Sequence, residues 1–119
     1  MFDKIISIDS NKLEWENPPR GYYLTDVKQK ILWEDKKTGA TMVLVKFPIG
    51  VPDEVHSHPE ANQFVYTIDG EVEDKEENIK PLGGIFTYVP KGVDHGGTKC
   101  TKETLLLFFW DGPPSTHKK

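Results

Sequence analysis

Residues 50–70, GVPDEVHSHPEANQFVYTIDG, decide how this chain is read. In an extended segment, side chains at i and i+2 point to one face, so His56 and His58 present two imidazoles to the same side. Two imidazoles on one face begin a transition-metal site. Gln63 follows four residues later, at the head of the apolar run FVYTI, and a further imidazole, His95, stands in GIFTYVPKGVDHG (84–96). A single buried histidine is more often a satisfied structural residue than a ligand. Here three of the four histidines fall in two turn-flanked β segments, and only His117 lies outside them.

Working outward, the chain reads as short strands punctuated by Gly and Pro. DKIISI (3–8) has the composition of a short strand, and Pro18, Pro19 and Gly21 stop any continuation. QKILWE and TMVLVKF, joined by DKKTGA with Gly39 at a left-handed position, predict a hairpin over 29–47. QFVYTI, the dipeptide Asp69-Gly70 and EVED predict a second hairpin. An antiparallel pairing would make the His56–His58 segment and the opening of the next strand neighbours, so that His56, His58 and Gln63 converge on one interior point. If Gln63 points inward, Val65 and Thr67 share its face while Phe64, Tyr66 and Ile68 take the other. DKEENIK (74–80) reads as a solvated turn or edge. IFTYVP and ETLLLFFW are further strands, and the last lines the interior with either Leu106, Phe108 and Trp110 or Leu105, Leu107 and Phe109. The tail DGPPSTHKK should be mobile unless it docks. No segment has helical periodicity, so the expected class is an all-β sandwich or barrel.

The 119 residues fit one domain, able to bury a core without staples. A formal charge of −4 argues against nucleic acid or an anionic membrane surface as partner. No apolar run near the start is long enough for a signal peptide or a membrane span. The single Cys100 excludes an intrachain disulfide and suits a reducing, cytoplasmic setting. Arg20 is the only arginine, so bidentate clamping of an anionic substrate would fall to it or, as a point charge, to Lys46.

The spacing of Gly50, His56, His58, Gln63 and Gly70 resembles the first motif of the cupin family, with Gln63 where that family usually has Glu. Gly84, Pro90, Gly92 and His95 resemble the second motif, although Lys99 stands where an Asn is usual. The resemblance implies a double-stranded β-helix of jelly-roll type: an N-terminal arm and edge strands (1–27), a barrel (28–111) and a tail (112–119). It implies that His56, His58, Gln63 and His95 hold a divalent transition metal, which could be Fe, Mn, Ni, Zn or Cu. With Gln rather than Glu, the ion would keep a charge near +2, be a stronger Lewis acid and be less readily oxidised. Glu60, in the loop beside the ligands, and Asp111, at the end of the last long strand, are candidate general bases.

Three functions follow from the resemblance. The leading one is a metal-dependent lyase or isomerase acting on a small carbonyl or sugar-acid substrate, as in the small cupins that linearise unsaturated uronates. A second is a non-haem Fe(II) dioxygenase, since the chain from DKKTGA to the second motif also resembles the branch with diketone- and hydroxyacetophenone-cleaving enzymes. The third is a non-catalytic ligand or metal sensor, because that branch includes anti-sigma-factor domains. Cupins of this size often pair, so a homodimer is expected, with Phe2, Ile5, Ile6 and Trp15 supplying apolar surface to a partner or to the parent barrel.

Overall fold

Thr104–Trp110 (β9) carries large apolar side chains on both faces, which suits a strand flanked on either side rather than an edge. The computed structural model, which describes residues 4–18, 27–50, 54–74 and 76–118, puts it at the centre of a five-stranded antiparallel sheet. The order is β1 (Lys28–Glu34), β2 (Thr41–Phe47), β9, β4 (Gln63–Asp69), β7 (Phe86–Val89). A three-stranded sheet has the order β6 (Ile79–Pro81), β5 (Glu71–Glu73), β8 (Lys99–Cys100). A two-stranded sheet joins β3 (His56–Ser57) to β10 (His117–Lys118).

The five-stranded sheet has an inner face of Val43, Val45, Phe47, Val65, Phe108 and Trp110, all buried, with Leu106 packed beside them. Cys100 of β8 packs on this cluster, and Val72 of β5 closes a cavity with Phe47, Leu106 and Phe108, so the small sheet faces the large one. This is the predicted two-layer all-β class. Gln63, Val65 and Thr67 point inward and Phe64, Tyr66 and Ile68 outward, as alternation requires. Between the two options for β9, the inward set is Leu106, Phe108 and Trp110.

The predicted hairpin over 29–47 is present, with Glu34 opposite Thr41. The second predicted hairpin is not. β4 pairs with β7 and β9, whereas β5 pairs with β6 and β8, so Asp69-Gly70 is a corner at which the chain passes from one sheet to the other. A tight two-residue turn needs positive φ, which Gly70 lacks, and a bulge between Thr67 and Asp69 turns the strand instead. Glycine is required here by close approach: a Cβ on Gly70 would lie 2.6 Å from Thr104 Oγ1. Thr104 is 1% exposed and its hydroxyl donates to the Lys102 carbonyl, so it has no room to yield. Gly70→Ala is therefore expected to cost about 1–3 kcal/mol in chemical denaturation. Gly83→Ala, with nothing nearer than 3.5 Å, should be close to neutral.

The N-terminal segment departs from expectation. Residues 4–8 form no strand, and a single 3-10 turn covers Ser10–Lys12. Glu16 bridges to Gln29, extending the sheet beyond β1. Trp15 lies under the ammonium groups of Lys30 and Lys46, 4.6 and 4.4 Å from its ring centre, so this aromatic packs on its own sheet. Ile5 and Ile6 remain exposed, while Phe2 and Arg20 lie outside the described residues. The tail is docked: β10 pairs with β3, setting His117 opposite Ser57.

Candidate metal centre

β3 pairs with the tail rather than with β4, so the hairpin expected to set His56 and His58 beside Gln63 is not formed. The loop of the second motif assembles the three histidines. His56 and His95 exchange both backbone hydrogen bonds, at 2.9 and 2.8 Å, and the Gly92 amide donates to the His58 carbonyl at 3.0 Å. A directly opposed, doubly bonded antiparallel pair puts its two side chains on one face. The imidazoles of His56, His58 and His95 accordingly stand with ring centres 4.3–5.0 Å apart.

Each ring has its outer nitrogen against a main-chain carbonyl. His56 Nδ1 lies 2.6 Å from the Glu54 oxygen, His95 Nδ1 3.1 Å from that of Val93, and His58 Nδ1 3.3 Å from that of Ser115. A carbonyl only accepts, so Nδ1 carries the proton and donates in each ring, and Nε2 keeps its lone pair. His58 Nε2 and His95 Nε2 are buried with no hydrogen-bond partner. Buried polar atoms are rarely left so, and a cation is the partner that suits inward-facing lone pairs. One ligand nitrogen from each of the three rings falls within 4.8 Å of the others, so the three histidines could hold a metal ion. The residues fit the group that the motif implies.

The electrostatics agree. Burial, then the neighbouring His56 and His95, lower the pKa of His58 to about 4, and burial also lowers that of His95. Both rings are neutral at pH 7, the form that binds metals. Because the unfolded chain holds these protons more readily, the metal-free protein is fully stable above about pH 6.5. It loses stability as the pH falls toward 4. Thermal melts of metal-free protein from pH 7.5 to 4.5 should show this decline, and His58→Gln should flatten it.

Phe47, Val65, Leu106, Phe108, Trp110, Pro114 and Thr116 complete the cavity with Gln63, which is 4% exposed. Its volume, about 80 Å³, suits an ion with a few small ligand atoms, well below the 300 Å³ at which drug-sized pockets begin. The Gln63 side-chain oxygen accepts from Trp110 Nε1 at 3.1 Å. A second cavity of about 280 Å³, lined by Ile31, Glu34, Val43 and Pro113 among others, shares Trp110 and Pro114 with the first.

The structure brings neither candidate base to this cavity. The Asp111 carboxylate accepts from the backbone and side-chain amides of Asn62, both at 2.8 Å, and the side-chain bond foremost holds its pKa below the usual range. Glu60 is exposed and accepts from the Ser115 hydroxyl. Lys46 lies over Trp15, and among the described residues no lysine, arginine, aspartate or glutamate lines the cavity. Sequence reasoning missed the tail, which supplies Pro114, Thr116 and the Ser115 carbonyl. The available signal was Pro113-Pro114, since a proline pair holds the backbone extended and ready to lie along a sheet.

A double-layered all-β barrel with three convergent histidines from two motifs defines a cupin. Residues 3–115 match the sequence pattern of the ChrR cupin-like domain, and the chain belongs to that family. No curated protein matches it. Among solved structures, it is similar to an RmlC-like cupin from Shewanella frigidimarina NCIMB 400 (24% identity, TM-score 0.67, 91% of this chain and 89% of that one). It is similar to an acetylacetone dioxygenase from Acinetobacter johnsonii (16%, TM-score 0.71, 94% and 76%). KdgF from a Halomonas species is a further relative in fold (20%, TM-score 0.63, 87% and 92%). At these identities the likeness concerns the fold. No helix among the described residues is long and apolar enough to cross a membrane.

Proposed function

We propose that this chain is a metal-dependent enzyme whose substrate is a small, uncharged carbonyl compound, cleaved at the expense of O2. The observation that carries the reading is the cavity itself: three imidazoles, each with a ligand nitrogen within 4.8 Å of the others, and walls that among the described residues are otherwise apolar save for Gln63 and Thr116. His56, His58 and His95 would hold an ion such as Fe(II). The bound ion would supply Lewis acidity and access to O2. Phe47, Val65, Leu106 and Phe108 exclude water and favour an apolar substrate. The acetylacetone dioxygenase fold supports this choice of chemistry.

A second reading is a lyase or isomerase without O2, for which an ion charge undiminished by a carboxylate is the favourable feature and KdgF the relative in fold. It is the weaker one, because among the described residues no carboxylate lines the cavity to move a proton and no lysine or arginine is there to hold a sugar acid. Purified protein loaded anaerobically with Fe(II), Mn(II), Ni(II), Zn(II) or Cu(II) should be offered diketones and hydroxyketones in an oxygen-electrode cell. Substrate-dependent O2 uptake with Fe(II) alone is the expected result. Turnover without O2 on Zn(II) or Ni(II) would favour the lyase. Saturable binding without any product would leave a sensor.

The partner we propose is a second copy of this chain. Tyr66, Ile68, Phe86 and Tyr88 are each 45–59% exposed on the outer face of the sheet. Register places Tyr66 beside Phe86 and Phe64 beside Tyr88, with Leu107 and Phe109 next in line. Half exposed, these four side chains together offer about 400 Å², enough for the apolar centre of an interface whose standard size is roughly 800 Å² per partner. Sedimentation equilibrium should give a dimer, and Phe86→Glu with Tyr88→Lys a folded monomer. A monomeric parent protein at tens of micromolar would refute this.

A further inference from the structure

We infer that Gln63 is a hydrogen-bond donor to whatever ligand shares the cavity with the ion, rather than a ligand of the ion, and that Trp110 sets it in that orientation. The inference rests on the metal reading above and concerns what the amide presents to the cavity. An amide ligates metals through its oxygen. One of that oxygen's two lone pairs accepts from Trp110 Nε1 at 3.1 Å, and an indole N–H can only donate, whereas the Gln63 NH2 has no hydrogen-bond partner among the described residues. The opposite amide orientation would set NH2 against N–H, with both residues 4% exposed, leaving two buried donors unpaired. The indole therefore decides which end of the amide turns which way.

The arrangement is built into the sheet. Gln63 and Trp110 are directly opposed across β4 and β9, so their side chains share a face. Trp110 is held in turn by a stacked Phe108, ring centres 5.1 Å apart at 17°, and by His58, whose ring centre lies 5.7 Å away. The amide cannot turn over while the indole stays. The group of Gln63 that lacks a partner altogether among the described residues is the NH2, and it is this donor that we assign to the cavity. Beside a cation, an N–H donor repels a second donor and favours an acceptor, such as a carbonyl oxygen or a small anion. Gln63 is then a positioning residue that selects ligands by their acceptor atom, and Trp110 sets its polarity.

Co(II) is a suitable probe, because its visible bands report coordination, and azide serves as a small acceptor ligand. Gln63→Leu should bind Co(II) within about threefold of the parent and azide about tenfold more weakly, the loss expected for one hydrogen bond to a charged ligand. Gln63→Met, with a chain of similar length, is the substitute if Gln63→Leu does not fold. Trp110→Phe frees the amide oxygen to turn inward, so the Co(II) bands should shift and azide affinity should fall as well. A 100-fold loss of Co(II) affinity in Gln63→Leu would make Gln63 a direct ligand and overturn the inference. Unchanged affinities for both Co(II) and azide would overturn it equally. A parent protein that binds no Co(II) would refute the metal reading and, with it, this one.

Discussion

Replacing His58 by Ala is expected to lower divalent-metal affinity by at least about 100-fold while leaving a folded barrel. The loss exceeds the roughly 10–100-fold that removing an outer partner of a ligand costs, because a donor itself is gone. The fold should survive because His58 contributes little to it when metal-free. Its Nε2 is buried without a partner, so deleting the ring relieves a desolvation cost of about 1–3 kcal/mol. The small cavity left behind opposes that gain. Metal content by plasma emission after supplemented expression, together with melts followed by circular dichroism, separates the two effects. An unfolded His58→Ala variant, or an unfolded metal-free parent, would make the ion a structural staple and weaken the enzymatic reading.

Ending the chain after Gly112 is expected to have the second largest effect. The residues removed pair with β3, close the cavity with Pro114 and Thr116, and supply the Ser115 carbonyl facing His58 Nδ1. Without that carbonyl the His58 ring loses the partner that fixes its tautomer, and metal affinity should drop by about 10–100-fold. The core of the five-stranded sheet is untouched, since its cluster ends at Trp110. Chelator competition measures the loss, and hydrogen exchange should show faster exchange at the His56 and His95 amides. A truncated protein with unchanged affinity would show that the tail only covers the cavity.

Much of this architecture was legible because two kinds of signal survive without tertiary context. Alternation assigned the inward and outward faces of β4 correctly, since Gln63, Val65 and Thr67 are the buried set. Motif spacing picked out the three histidines that converge. Partnering was not legible. Asp69-Gly70 reads locally as a turn, yet its glycine serves the approach of Thr104, 34 residues further along, and the chain changes sheets there. The pairing of β3 with the tail depends on two two-residue strands, too short for any periodicity. Residues 4–8 have a strand's composition, but no strand pairing among the described residues includes them. Glu60 and Asp111 stand near the ligands in sequence, yet each is engaged by a neighbour's side chain or amide instead.

The outer partners of all three imidazoles are main-chain oxygens, those of Glu54, Val93 and Ser115. Peptide oxygens are carried by every residue type, so no single codon change at these positions can delete one. The tautomers that ready the rings are thus inherited with the path of the backbone. Relatives could exchange all three side chains and still present the same lone pairs, leaving the walls of the cavity as the part free to drift toward new ligands.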